Sequence, residues 1–507
     1  MPEKKNVLLF ITDQQRADHL GCAGNKDLKT PNLDELAKEG VRFTKAYCAN
    51  PMCMPNRATI FTGKYPSLHG VRCNGINLNK SIPTITQTLL DQNYHTYSIG
   101  KIHLNFFGNP YSRKTNSEES LLPSIYTPTK KKSPHPSPYY GLEEVDMVIG
   151  HGDAVGGDYL EWVEERAPEY YELIKKRALK LFDKIMDDSP IPEDIYHTNF
   201  ITEKTISFLK RFSEGEYGDK SFFVHCSYPD PHMPVCPPGR YKEMYEPDSL
   251  EIPSNLDDIE KLYNHKVLGP FINVYRPNWL RDTTESELRQ FLAYTYGTIS
   301  MIDSSIGKIL AALETFGLEE DTIVIFTSDH GDLMGDHGLL LKGPAHYKGV
   351  LNIPLIWKVP GLTKAGEITD SLVSSIDIPT TLMELLGIKE KYRPIGMQGK
   401  DMSPILKDSI EKIRDCCIIE EDEQSQKDSH NLPSLRVRSM ITNRYRMTLY
   451  QNYENFGELY DLKKDPEENN NLWFENDYSS IKQRLMKKFL HELIKLQPDF
   501  PHKQARA

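Results

Sequence analysis

Up to about residue 410, short apolar runs alternate with longer amphipathic stretches. Residues 6–12 (NVLLFIT) are an apolar run bounded by charges before it and by Asp13-Gln14-Gln15 after it, the pattern of a buried strand. Residues 94–99, 221–226 (SFFVHC), 322–327 (TIVIFT) and 351–359 read the same way. Thr30-Pro31-Asn32 opens a helix on which Leu33, Leu36 and Ala37 share a face. Residues 57–62 follow a proline and stop at Gly63, the spacing of a short helix, and 84–91, 158–187, 199–212, 286–315 and 380–386 have helical periodicity. Strands alternating with helices predict an α/β fold with a mainly parallel sheet. Residues 108–158, rich in Pro, Ser and Lys, read instead as an insertion or lid, with Lys130-Lys131-Lys132 a solvated charge run. Past about residue 410 the pattern changes. Residues 437–450 read as strands, GELYDLKKDP (457–466) as a turn and 478–496 as a closing helix. The expected domains are 1–410 and a smaller α+β unit at 411–507.

Composition narrows the function classes. Of 507 residues, 38% are hydrophobic and 26% charged, which suits a folded chain with a large core. Lys plus Arg number 61 against 72 Asp plus Glu, a net charge of −11, which disfavours general nucleic-acid binding. No segment has transmembrane length, so no membrane partner is expected. The run at residues 7–12 is too short for a signal-peptide core, so the expected location is the cytoplasm. Eight cysteines without a CxxC pair argue against a disulfide scaffold or a structural zinc site.

Two polar pairs follow strands: Asp13-Gln14 and Asp329-His330. Ligands of open α/β sheets bind beyond the carboxyl ends of strands, so the pairs can meet in one divalent-metal site. Each also suits a turn or a helix cap. Cys53, ahead of a helix start and near Arg57, sits where a thiolate is favoured. By residue type alone, a free cysteine is more often a buried small hydrophobe.

Cys53-Met54-Pro55-Asn56-Arg57 followed by TGKYP (62–66) resembles the signature of the type I sulfatases of the alkaline phosphatase superfamily. FITDQQRADHLGCAGN, TPNLDELAKEGVRFTKAY, SLHGVRCNG, GKIH, SYPDPHMP, SDHGD and GELYDLKKDPEE resemble further sulfatase segments, in the family's order. The resemblance runs from about residue 5 to 495 and leaves 108–158 unmatched. It implies a large α/β domain with a central mixed sheet, then a small domain with an antiparallel sheet and a final helix. It implies that a formylglycine-generating maturation enzyme oxidises Cys53 to formylglycine. The hydrated aldehyde would attack the sulfur of a sulfate ester, release the alcohol, and collapse from a sulfated diol to expel sulfate. One divalent metal would be held by Asp13, Gln14, the modified Cys53, Asp329 and His330. Many sulfatases carry Asp and Asn at the positions of Gln14 and His330. With those two replaced, Ca2+ remains the favoured ion and Mn2+ the alternative. Arg57 would hold the diol and the metal-site carboxylates. Lys101 and His103 would hold diol and sulfate oxygens, with His103 taking the proton that triggers collapse. His232 and Lys342 would contact sulfate and protonate the leaving oxygen, and Asn74 would donate to the same group.

The nearest rival is a phosphonate monoester or phosphodiester hydrolase of the same superfamily. Those relatives share the formylglycine site and often the Gln and His metal ligands. They tend to carry neutral hydroxyl residues where this chain has Lys101 and His103, so sulfate is favoured. An inactive binding module would need a lost site residue, and every position is filled. A two-zinc phosphatase would need more His and Asp ligands. Selectivity is expected from 108–158, from HGDAVGGD (151–158) and from the C-terminal domain. A sulfated carbohydrate is the favoured substrate, ahead of aryl or alkyl sulfates. The oligomeric state is not legible in the sequence.

Overall fold

Strand β1 (Asn6–Thr12) is buried along its whole length, and its successive side chains enter two different cores. Leu8 and Phe10 face one core, and Val7, Leu9 and Ile11 the other. A strand covered on both faces needs an unbroken apolar run, which is why it was legible. The computed structural model describes residues 5–108, 117–121, 125, 135–179, 184–272, 284–423 and 434–497.

The large sheet adds β2 (Val41–Phe43), β4 (Tyr94–Gly100), β5 (Glu144–His151), β6 (Ala154–Gly157), β7 (Ser221–Ser227), β8 (Thr322–Ser328), β9 (Leu355–Lys358) and β10 (Glu367–Thr369). Their order is β10-β2-β9-β8-β1-β7-β4-β5-β6, and β3 (Ala46–Tyr47) pairs separately with β11 (Val373–Ser374). The central run β8-β1-β7-β4-β5 is parallel, while β6 and β9 join antiparallel. One face carries α1 (Pro31–Glu39), then, further along the chain, His197–Ser213 and the long helix Glu285–Thr315. Ile60 of α2 (Cys53–Thr62) and the helices Ile85–Asp91 and Asp377–Leu385 pack on the other. The long helix begins at a capping box in which Thr284 and Glu287 satisfy each other's backbone N–H groups. No helix among the described residues is long and apolar enough to cross a membrane.

An antiparallel sheet follows: β12 (Cys416–Glu423), β13 (Leu435–Thr442), β14 (Tyr445–Tyr450) and β15 (Gly457–Asp461). Cys417, Ile419, Val437 and Ile441 pack toward the large sheet, while Ile418, Met440, Met447 and Leu459 pack with Leu485 and Phe489 of the final helix, Ser479–Lys495.

Several sequence expectations are corrected. GELYDLKKDP is not only a turn: residues 457–461 are β15, and the turn follows, closed by Lys464 and Asp465 N–H groups on the Asp461 carbonyl. The polar look of this strand comes from Glu458, which is buried because it pairs with Arg446 at 2.8 Å. The end of the 108–158 stretch is not a lid, because β5 and β6 belong to the large sheet. Lys130-Lys131-Lys132 lie outside the described residues. The helical stretch 158–187 is broken at Ala167, whose non-helical backbone (φ −148°, ψ 65°) precedes Pro168, into Asp158–Arg166 and Pro168–Ala178. Within 351–359 only Leu355–Lys358 is strand; Lys348–Leu351 is a helical turn.

Candidate active site

Five parallel strands end at one edge of the sheet, and the residues just beyond their carboxyl ends form the site. Thr12 pairs with Ser328, so Asp13 and Asp329 leave the sheet side by side. Gly100 pairs with Ser227, and Lys101 and His103 follow one strand while His232 follows the other. Gly100 has φ +98°, and a Cβ there would run into the Ser227 carbonyl oxygen, so only glycine turns Lys101 in at this point. Helix α2 adds Cys53 as its first residue, and no side chain caps it from Met52.

These groups converge. Lys342 Nζ lies 3.0 Å from Cys53 Sγ, 2.9 Å from Gln14 Oε1 and 2.7 Å from His232 Nε2. His330 Nε2 is 3.2 Å from Cys53 Sγ and 3.6 Å from an oxygen of both Asp13 and Asp329. Lys101 Nζ donates to Asp13 Oδ2 and lies 2.9 Å from His151 Nε2. Arg57, 1% exposed, donates from Nε to Asp329 Oδ2 at 2.7 Å and from Nη1 to the Lys101 carbonyl and Ser227 Oγ, both at 2.9 Å. Its Nη2 lies 3.7 Å from Asp13 Oδ2. With His103 hydrogen-bonded to Cys53, every predicted site residue but Asn74 falls in one cluster, buried except for the half-buried Lys342. The Asn74 side chain is held at its edge, its amide oxygen accepting from Met54 N at 3.1 Å, one residue after Cys53.

Neighbouring groups fix the tautomers. His330 Nδ1 donates to the Gly331 carbonyl at 2.8 Å, and His232 Nδ1 to the Met233 carbonyl at 2.6 Å. His232 Nε2 is thereby left as an acceptor, whereas His330, raised by Asp329 and Cys53 against its burial, carries a proton on Nε2 that a metal would displace. Gln14 Nε2 donates to Asp332 Oδ2 at 2.6 Å, which turns its amide oxygen inward.

The charges shape one another. Burial pushes the Cys53 thiol up, but Lys342, Lys101 and His330 outweigh it and hold the thiol well below its usual value. Burial and Cys53 raise Asp13, yet Lys101, His232 and Arg57 bring it to about 2. Burial, then Lys101, lowers His103 to about 3, and burial and Lys342 lower His232. Both imidazoles are neutral near pH 7. Asp13, Cys53, Asp329 and His330 each offer a ligand atom, all within 4.8 Å of one another. Two carboxylates, the Gln14 amide oxygen and a tautomer-fixed imidazole nitrogen fit one divalent cation.

Three residues that sequence reasoning did not assign support this cluster. His151, the last residue of β5, stacks on His232 at 3.8 Å between ring centroids. Glu119 accepts from the N–H groups of His103, Leu104 and Asn105 at 2.5–2.9 Å and from Tyr139 Oη at 2.8 Å. It thus holds His103 in its left-handed backbone conformation, φ 61°. Asp332 accepts from Met334 and Leu341 N–H groups as well as Gln14, fixing the loop that carries Lys342.

Comparison with known proteins agrees with this geometry. The sulfatase family model matches residues 5–388. The chain belongs to the sulfatase family. A second model, described as the C-terminal part of N-sulphoglucosamine sulphohydrolase, matches residues 335–495. An arylsulfatase of Clostridium perfringens is 29% identical over 495 residues, covering 97% of this chain and 94% of the relative. An N-acetylglucosamine-6-O-sulfatase of Bacteroides thetaiotaomicron is 24% identical, covering 96% and 85%. Among solved structures, the phosphonate monoester hydrolase of Agrobacterium radiobacter superposes with TM-score 0.78 at 24% identity, covering 98% of this chain and 97% of that one. A protein bound to its substrate D-glucosamine-2-N,6-O-disulfate superposes with TM-score 0.70 at 21% identity, covering 98% and 100%. At these identities the structural likenesses establish the fold. The sulfatase is a sulfuric ester hydrolase of the alkaline phosphatase superfamily.

Proposed function

We propose that this sulfatase hydrolyses a sulfated carbohydrate or an aryl sulfate, using formylglycine made from Cys53 by a maturation enzyme and one Ca2+ ion, with Mn2+ as the alternative. The observation that carries the reading is Cys53 at the start of α2, with Lys342 at 3.0 Å and His330 at 3.2 Å from Sγ. Relatives named for aryl sulfate and for N-acetylglucosamine 6-O-sulfate support the substrate range.

Asp13, Gln14, Asp329 and His330, with the modified Cys53, would hold the cation, which would supply Lewis-acid polarisation of a nucleophilic oxygen on the formylglycine. Lys101 and Lys342 bring positive charge to the oxygens of the sulfate, where charge develops during displacement. Lys342, already donating to His232 Nε2, is placed to donate to the leaving oxygen. His103, neutral and beside Cys53, would take the proton whose release triggers expulsion of sulfate. Arg57 holds the Asp13 and Asp329 carboxylates in place through its ion pairs.

The test is expression with a formylglycine-generating enzyme, then peptide mass at Cys53, metal content by plasma spectrometry, and paired assays on 4-nitrophenyl sulfate and 4-nitrophenyl phenylphosphonate. The expected result is conversion of Cys53, near-stoichiometric calcium, and a higher kcat/KM on the sulfate that disappears in Cys53→Ala. Preference for the phosphonate overturns the sulfate assignment, and a stoichiometric transition metal without calcium overturns the ion.

A further inference from the structure

A cleft of about 300 Å³ opens beside Lys342 and His232, and its walls are almost wholly apolar. Leu268, Phe271 and Ile272 form one side, and Leu339, Leu340 and Ala345 of the Lys342 loop form another. All six are buried to within 8% exposure. The polar side chains in the lining are Gln14, His232 and Lys342. Gln14 and Lys342 bond each other, and Lys342 bonds His232 and Cys53 Sγ, so all three belong to the reacting end. The cleft is therefore continuous with the sulfate site on the side of Lys342, the proposed donor to the leaving oxygen.

We infer that this cleft is the subsite for the alcohol half of the ester, and that of the two substrate classes proposed above it favours the apolar aryl sulfate, with alkyl sulfates alongside it, over the sulfated carbohydrate. The inference rests on the sulfatase reading above. A sugar ring placed here would bury hydroxyls against leucine, isoleucine and phenylalanine side chains that cannot hydrogen-bond them. An apolar group gains from the same walls. An apolar cavity on the order of 150 Å³ holds benzene, so this one takes one or two rings or a medium alkyl chain.

The matured enzyme would be assayed on primary n-alkyl sulfates from ethyl to hexyl and on glucosamine 6-sulfate, all with a primary alcohol as leaving group. The kcat/KM should rise about fourfold per methylene until the cleft is full, with glucosamine 6-sulfate below ethyl sulfate. Ile272→Asn, which puts a polar side chain into the cleft wall, should flatten the rise, costing hexyl sulfate far more kcat/KM than ethyl sulfate. Binding of n-alkylsulfonates to Cys53→Ala, followed by calorimetry, should tighten with chain length in the same way. A flat chain-length series, or glucosamine 6-sulfate above the alkyl sulfates, overturns the inference and leaves the sulfatase reading standing. If no sulfate is cleaved, the sulfatase reading falls, and sulfonate binding then decides the cleft: tightening sustains an apolar subsite and a flat series removes it.

Discussion

Replacing Arg57 tests whether the site is an electrostatic unit held together by one side chain. Arg57→Met keeps the length and removes the charge. It leaves the Asp329 carboxylate without its partner at 2.7 Å and removes the donor to the Lys101 carbonyl and Ser227 Oγ. Arg57 is 1% exposed and Asp329 fully buried, so solvent cannot step in. Breaking one partner out of a buried ion pair costs about 3–5 kcal/mol. Unfolding entropy of about 2.1 cal/mol/K per residue, over 507 residues, makes each kcal/mol worth about 1 °C. Scanning calorimetry in chelator should therefore show a Tm lower by about 3–5 °C. With the cation bound, Asp329 keeps a positive partner, and the loss should be smaller. Arg57→Lys, which keeps charge but not the fork, should fall between. A shift under about 1 °C in chelator, or one unchanged by cation, would refute the claim that Arg57 and the metal share the task of neutralising the carboxylates.

Two further outcomes are expected. Glu119→Ala frees the His103 backbone, and a misplaced His103 should lower kcat on the order of 10²-fold with little change in KM; Glu119→Gln, which keeps one acceptor oxygen, should restore part of it, and an unchanged kcat in Glu119→Ala would remove the positioning role. Burial lowers His19 to about 4 and His69, His197 and His225 to about 3, so below pH 6.5 the unfolded chain takes up protons that the fold refuses and stability falls with pH. Asp230, raised by burial to about 8, and Asp303, to about 6, act in the opposite direction over this window, but the buried histidines, His103 among them, outnumber them, so Tm should fall between pH 6 and 5. His225→Gln should reduce that slope, and a Tm flat across the range would show that these imidazoles protonate in place.

The same parallel topology explains what the sequence disclosed and what it concealed. β1, β7 and β8 announce themselves because both faces are covered, so every position but Asn6 and His225 is apolar or small. β5 hides because its entry carries Glu144 and Asp146, which pair with Arg211 and Lys204 at 3.0 Å on the flanking helix, so its pattern reads as polar loop. Missing β5 also concealed His151. A lone histidine in a glycine-rich stretch has no periodicity to mark it. Only the pairing of Gly100 with Met147 brings the end of β5 beside Lys101. The retrospective signal was the apolar MVIG run ending in His151-Gly152-Asp153, a strand followed by polar ligands like Ser328-Asp329-His330. Most of the residues found by motif sit just past a strand end or in the first turns of α2, while Lys342 and Asn74 lie on loops and were found by the resemblance alone. Glu119 and Asp332 escaped because their job is to hold loops, and a carboxylate accepting backbone N–H groups leaves no mark in a polar segment. The cleft beside Lys342 was equally illegible: Leu268–Ile272 and Leu339–Ala345 are far apart in sequence, and each alone reads as ordinary core. The two halves of substrate recognition thus have different visibility. Binding the sulfate needs charged residues at fixed strand ends, which a sequence displays. Choosing the alcohol needs only the shape left between apolar segments, which appears once the chain is folded.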